Sequence, residues 1–213
     1  MLKIKLAVIY YSATGTNYQL AQWAAESAEK AGAEVKLLKV QELVPEDKIA
    51  ANPAMKARAE KTKDIPIATP DDIVEADAII FSSPTRYGNI ASQMKQFIDT
   101  TGGVWGKGLT VNKVVSAMSS AQNPHGGQEA TILALYTSMY HWGAIVAAPG
   151  YTDPVTFGAG GNPYGTSVSV DGDGKMVEDQ DRIRDAVFHQ AKRTVEVAGW
   201  VQAGKSKTAN SQN

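Results

Sequence analysis

Apolar residues gather in five short runs, Leu6 to Tyr11, Val35 to Val40, Ala78 to Phe81, Lys113 to Met118 and Ala144 to Ala148, each closed by small or turn-forming residues. Continuous rather than alternating apolarity over so few positions predicts parallel strands buried on both faces. Between the runs the spacing changes to three and four. Leu20, Trp23, Ala24, Ser27, Ala28 and Ala31 lead up to Gly32, and Ile90, Met94, Phe97 and Ile98 repeat the pattern. Ala130, Leu133, Ala134, Thr137 and Tyr140 mark a further helix, and Ile183, Val187, Ala191, Val195 and Ala198 the last. Such periodicity is that of helices laying one apolar stripe on a core. Strands and helices in alternation imply right-handed crossovers and an open sheet covered on both faces, one α/β domain over residues 1–203.

Two segments depart from the alternation. Pro45 to Pro70 is rich in charge and poor in large apolar residues, with a short helix predicted near Ala54 to Lys61, and Gly150 to Gly174 is rich in Gly, Pro, Thr and Tyr. Insertions of this length are usually functional, ordered by a partner or disordered, and subunit contacts are the expected place of these two. The polar stretch Gly204 to Asn213 predicts a disordered tail.

Composition narrows the classes. At 43% hydrophobic and 20% charged residues the chain can bury a sizeable core. With 21 basic against 22 acidic residues there is no excess cation to neutralise a duplex, so nucleic acid is not an expected partner. The absence of cysteine removes disulfides, thiolate metal sites, iron–sulfur clusters and a thiol nucleophile together. No apolar stretch approaches the roughly 18 residues of a membrane span. The opening Met1 to Tyr11 imitates a signal peptide but stops at Ser12 without a cleavage site, so it reads as a strand and the cytoplasm is the expected location.

The chemistry concentrates where strands end. The first strand runs into Ser12-Ala13-Thr14-Gly15-Thr16-Asn17 and then a helix. Hydroxyls, a glycine and free amides at a helix N-terminus make an anion cradle, and more hydroxyls are present than capping alone requires. It is neither the three-glycine dinucleotide fingerprint nor a P-loop. A P-loop-like string does occur at Gly199 to Ser206, but it follows a helix instead of a strand and is discounted; Asp171-Gly172-Asp173-Gly174 lacks the glutamate of a calcium loop and reads as a turn. The third strand ends in Pro84-Thr85-Arg86-Tyr87-Gly88-Asn89, where glycine permits close backbone approach, Tyr87 offers a ring face and Arg86 a fixed cation. The fourth ends in Ser119 to Glu129, whose Ser120, Ala121, Gly126 and Gly127 can present amides to a flat ligand. Three polar loops at carboxyl edges form one site.

The first of these loops resembles the Ser/Thr-x-Thr-Gly-x-Thr phosphate loop of flavodoxins, in which flavin mononucleotide (FMN) lies where a sheet of order 2-1-3-4-5 reverses direction. Pro84 to Asn89, Thr101-Gly102-Gly103-Val104-Trp105, His125-Gly126-Gly127-Gln128-Glu129 and Gly161-Asn162-Pro163-Tyr164-Gly165, in this order, resemble the signatures of the tryptophan-repressor-binding-protein (WrbA) family, the type IV NAD(P)H:quinone oxidoreductases. The resemblance covers about residues 4 to 203. It implies a flavodoxin-like, doubly wound five-stranded parallel sheet of order 2-1-3-4-5 with helices on both faces and two insertions, bound FMN, homotetramers, and two-electron reduction of quinones by NADH or NADPH. It further implies that Ser12, Thr14, Gly15, Thr16 and Asn17 hold the phosphate. Pro84, Thr85, Arg86, Tyr87, Gly88 and Asn89 flank the ring, and Ser120, Ala121, Gly126 and Gly127 line its other edge. Trp105 and His141 wall the substrate cavity, with His141 also against the cofactor. No side chain is obliged to act as acid or base, although His141 or Tyr87 could protonate the quinone oxygen. Where the family has Ser-x-Tyr-Gly-His this chain has Ser12-Ala13-Thr14-Gly15-Thr16, and no 2'-phosphate site is legible to separate NADH from NADPH. A one-electron carrier would be shorter and strongly acidic around its flavin, and a regulatory binding protein finds no support in charge or motif.

Overall fold

The computed structural model describes residues 3–210. β1 (Lys5–Tyr10) leads into α1 (Thr16–Lys30) and β2 (Glu34–Lys39), followed by three short helices, α2 (Glu46–Ala51), α3 (Pro53–Lys61) and α4 (Pro70–Glu75). β3 (Ala78–Arg86) turns back on the two-residue β4 (Asn89–Ile90), and α5 (Ser92–Thr100) and the single turn α6 (Gly102–Trp105) follow. β5 (Val114–Ala121), α7 (Gln128–His141), β6 (Ile145–Val146), α8 (Val155–Gly158), β7 (Ser167–Ser169) and α9 (Gln180–Asn210) complete the order.

The sheet runs β2-β1-β3-β5-β6 with parallel pairing throughout, while β4 pairs antiparallel with β3 and β7 parallel with β5. With the β4 hairpin set aside this is the predicted order 2-1-3-4-5, a flavodoxin-like topology. The unbroken apolar runs resolve into period two once both faces are considered. Leu6, Val8 and Tyr10 of β1 pack with α1 and α9 through Leu20, Ala24, Ile183 and Val187. Ala7 and Ile9 face the other layer, built from Ile73, Met94, Phe97, Ile132 and Leu135 of α4, α5 and α7. Both faces are buried, so neither tolerates polar alternation.

Four boundaries differ from the sequence expectation. β3 extends past Phe81 to Arg86, because the expected loop pairs as a hairpin through Thr85↔Ile90 and Arg86↔Asn89. β5 continues past Met118 to Ala121, paired to β3 and β7. The fifth strand is split: β6 covers only the start of β5, at Val114 and Val115, and β7 covers Ser119 to Ala121. Between them Ala117 has no strand partner on that side. Its N–H donates instead to the Tyr136 hydroxyl (3.1 Å) and its carbonyl accepts from the Gln190 amide (2.9 Å), so two side chains replace the missing ladder. The Gly150–Gly174 insertion enters at this gap. Finally, α9 runs through Gly204 to Asn210, where composition predicts disorder: backbone helix hydrogen bonds continue and Ser206 donates back to the Gln202 carbonyl. The last three residues of the expected tail, 211–213, lie outside the described residues. The P-loop-like string falls inside this helix and has no strand before it.

Candidate functional site

The carboxyl edge of the sheet opens into a cleft of about 530 Å³, within the several-hundred-Å³ range of small-molecule sites. It is lined by Ser12 to Thr14, Thr16 and Asn17 from the first loop, Pro84 to Tyr87 from the second and Ser120, Ala121 and Gly126 from the third. Three loops separated widely in sequence meet there because parallel strands all deliver their carboxyl ends to one edge.

The first loop has the properties of an anion cradle. The opening N–H groups of α1 have no intrahelical acceptors, and Gly15 N–H donates to Ser12 Oγ at 3.0 Å, leaving that hydroxyl proton to donate elsewhere. The hydroxyl of Thr14 is exposed at the rim, whereas Thr16 Oγ1 is buried and donates to the Gly174 carbonyl at 2.8 Å. Asn17 is committed still further. Its amide donates to Ser82 Oγ (3.1 Å) and accepts from Ser120 Oγ (2.6 Å), and its carbonyl accepts from Ser82 Oγ (3.1 Å). The side chains of Asn17 and Ser120 therefore tie the start of α1 to β3 and β5 beneath the cleft floor. What they offer a ligand is backbone.

These commitments separate two neighbouring threonines. Thr14→Val removes a free hydroxyl, and a hydrogen bond to a charged phosphate is worth about 1.5–3 kcal/mol, so FMN affinity is expected to fall about tenfold or more. Thr16→Val unties Gly174 and is expected to cost about 1 kcal/mol of stability in urea unfolding, with a smaller effect on affinity. Fluorescence titration of the two variants with FMN checks the order; equal losses would reject it.

The second and third loops are locked to each other. Thr85 Oγ1 accepts from Gly88 N–H (3.2 Å) and meets Thr131 Oγ1 at 2.9 Å. Gly127 lies so close to Gly88 that a Cβ on it would stand 2.6 Å from Gly88 Cα. Tyr87 turns the hairpin with φ 55°, an unusual value for an aromatic residue, and is fully exposed. Arg86 donates to the Thr85 carbonyl. Asn89 lies on β4, where its carbonyl faces Thr131 Oγ1 at 3.2 Å, and does not line the cleft.

Trp105 and His141 lie elsewhere. α7 starts beside the cleft at Gln128 and runs 14 residues toward the amino edge of the sheet, so His141 is about 20 Å from its start. Trp105 Nε1 donates to the His141 carbonyl at 2.7 Å, so both belong to that far end. The chain does not bring them to its own cleft.

Two contributors lie outside the three loops that the sequence brings together. The turn Asp171–Gly174 closes the cleft over the first loop, with Gly174 against Thr14 and Thr16, and Asp171 Oδ1 accepts from Asp173 and Lys175 N–H. No cluster of three potential metal ligands occurs among the described residues. Behind the first loop, Arg58 of α3 donates from Nε to the Ala13 carbonyl (3.2 Å) and from Nη2 to Glu42 (2.6 Å). Burial opposes charge on Glu42, but the Val44 N–H, the Arg58 guanidinium and the Leu43 N–H together hold its carboxyl below the ordinary value. Burial, with Glu42 nearby, pushes the Tyr11 phenol up to about 12, so it stays protonated and donates to that carboxylate.

The fold and cleft define a flavodoxin-like nucleotide-binding protein. A family model described as NADPH-dependent FMN reductase matches residues 4–152, and the chain belongs to that family. It is 52% identical over 196 residues to the NAD(P)H dehydrogenase (quinone) of Deinococcus radiodurans, covering 92% of this chain and 98% of that one. Its identity to the protein of the same name from Aromatoleum aromaticum is 38%, covering 95% and 100%. Among solved structures it superposes on a WrbA-like flavodoxin from Agrobacterium tumefaciens with TM-score 0.60 at 19% identity, over 93% of this chain and 99% of that one, a likeness of fold.

Proposed function

We infer that this chain is an FMN-dependent NAD(P)H:quinone oxidoreductase that reduces quinones by two electrons. The observation that carries the reading is a phosphate cradle joined to two ring-edge loops in one cleft, in a chain 52% identical over 92% of its length to an NAD(P)H dehydrogenase (quinone). FMN fits the donor set, with amides and a free hydroxyl for its phosphate and backbone edges for a flat ring. Bound there, it would supply the hydride chemistry by which a reduced nicotinamide gives two electrons to a quinone. The residues present do the rest. The first turn of α1 with Ser12 and Thr14 binds the phosphate, the Thr85–Gly88 and Ser120–Gly127 segments orient the ring, and the Asp171–Gly174 turn shields the cradle from water.

A homotetramer belongs to this reading, and the outer face of α7 supports one pairwise contact within it. Leu133 and Tyr140 are exposed there, and Ala130 and Thr137 continue the stripe without a charged side chain. Trp105, 52% exposed, stands at its end. An isologous contact sets equal faces antiparallel. Two α7 helices paired so would carry Trp105 and His141 of one copy to the cleft end of the other, which gives these residues the substrate-wall role that their own chain does not.

Anaerobic NADH should bleach the bound flavin and benzoquinone restore it, with parallel double-reciprocal lines, since both substrates use one ring face. Trp105→Ala removes an aromatic surface worth about 1 kcal/mol, so kcat/KM for quinone should fall several-fold with FMN affinity held. A flavin that NADH does not bleach would overturn the oxidoreductase reading. A 23 kDa particle in light scattering would overturn the assembly.

A further inference from the structure

We propose that Arg58, on the inserted helix α3, is a positioning residue for FMN: it fixes the phosphate loop by holding the Ala13 carbonyl away from the cleft. The inference rests on the reading of the cleft as an FMN site. It begins from a peptide plane. The Ala13–Thr14 bond is trans, as are all described peptide bonds, so the Ala13 carbonyl and the Thr14 N–H point in opposite directions. Arg58 Nε takes the carbonyl at 3.2 Å. Ala13 lines the cleft and neither hollow behind the loop, Thr14 lies at the rim shared by the cleft and one hollow, and Arg58 lines both hollows and not the cleft. The Thr14 N–H, which meets no acceptor among the described residues, is thereby turned away from Arg58 and left available to a ligand. Released, the same plane can rotate and show the phosphate an acceptor in place of a donor.

The guanidinium is itself held. Its side chain is 9% exposed, and Nη2 is bound to Glu42 at 2.6 Å. Glu42 in turn accepts from Leu43 and Val44 N–H, Gln93 Nε2 and the Tyr11 hydroxyl, so the brace is anchored on the ends of β1 and β2 and on α5. Because cation and carboxylate are paired, their combined field on a phosphate is small. The contribution of Arg58 is therefore direction of the loop and not charge. A planar fork with donors to two acceptors at once is what arginine supplies and lysine does not. This gives the charged insertion 45–70 a task within its own chain.

The test compares FMN with riboflavin, which lacks the phosphate, on the full chain stripped of flavin. For Arg58→Met the dissociation constant of FMN is expected to rise about tenfold, the scale of one charge-assisted hydrogen bond, while that of riboflavin stays within about twofold. Arg58→Lys, a milder change if the first variant folds poorly, is expected to lose FMN affinity in the same selective way. Equal weakening of both flavins, unchanged FMN affinity, or full rescue by lysine would overturn the positioning role. If the unaltered chain binds neither flavin, the FMN reading fails instead.

Discussion

Gly165→Ala is expected to lower the stability of the flavin-free chain by about 3 kcal/mol or more, roughly 6–12 °C in Tm for a domain of this size. The reason lies at the split fifth strand. A Cβ on Gly165 would stand 1.9 Å from the Ala117 carbonyl oxygen, 3.1 Å from its carbon and 3.3 Å from Ile132 Cδ1. The nearest obstacle is backbone in a central strand, which cannot swing aside as a side-chain tip can. Moving either segment strains the bonds that fill the gap: Ala117 to Tyr136 and Gln190, the Tyr136 hydroxyl to the Tyr164 carbonyl (2.6 Å), and Thr166 N–H to Gln190 (2.7 Å). Each buried polar group left unpaired adds about 1–3 kcal/mol. Thermal unfolding measures the effect, and a shift under 2 °C would mean that the insertion yields more easily than this packing allows.

Gly127→Ala is expected to remove flavin binding and activity with less loss of stability. Its Cβ would meet Gly88 Cα at 2.6 Å and Gly88 N at 3.2 Å, and its φ of 95° suits no other residue well. The two ring-edge loops must part by about 1 Å to reach ordinary van der Waals contact. On the proposed reading they part where a flat ring would be gripped, and the phosphate cradle is untouched. FMN and riboflavin should therefore weaken together, by about tenfold or more, the reverse of the selective loss expected at Arg58. Titration of both flavins against this variant decides it. A loss confined to FMN would mean that Gly127 acts on the cradle and not on the ring.

The cradle was legible because its chemistry is local: hydroxyls, a glycine and a helix start follow one strand within six positions, Ser12 to Asn17. The roles within it were not. Asn17 and Thr16 have the side chains of phosphate ligands, but burial in the fold commits them to Ser82, Ser120 and Gly174, partners far away in sequence. Arg58 carries no motif, and the Asp171–Gly174 string is legible as a turn but not as part of the site. Their part is set by where the insertions fold back. Resemblance placed Trp105 and His141 together on the substrate wall, and in the chain the Trp105 indole N–H donates to the His141 carbonyl. Helix direction places that pair at the opposite edge of the sheet.

The sequence by itself determined the alternation of strands and helices and the edge at which the three loops meet. Parallel strands buried on both faces must be apolar throughout, right-handed crossovers then deliver their carboxyl ends to one edge, and the order 2-1-3-4-5 came from the resemblance to flavodoxins. It also determined that α3 is helical, since the short helix expected at Ala54 to Lys61 appears as Pro53–Lys61. Only the tertiary structure decided which polar side chains face a ligand and which are consumed in holding the loops. That outcome depends on hydrogen-bond partners brought together from distant segments, and on backbone contacts such as Gly127 on Gly88 and Gly165 on Ala117, which exist only once the sheet has closed.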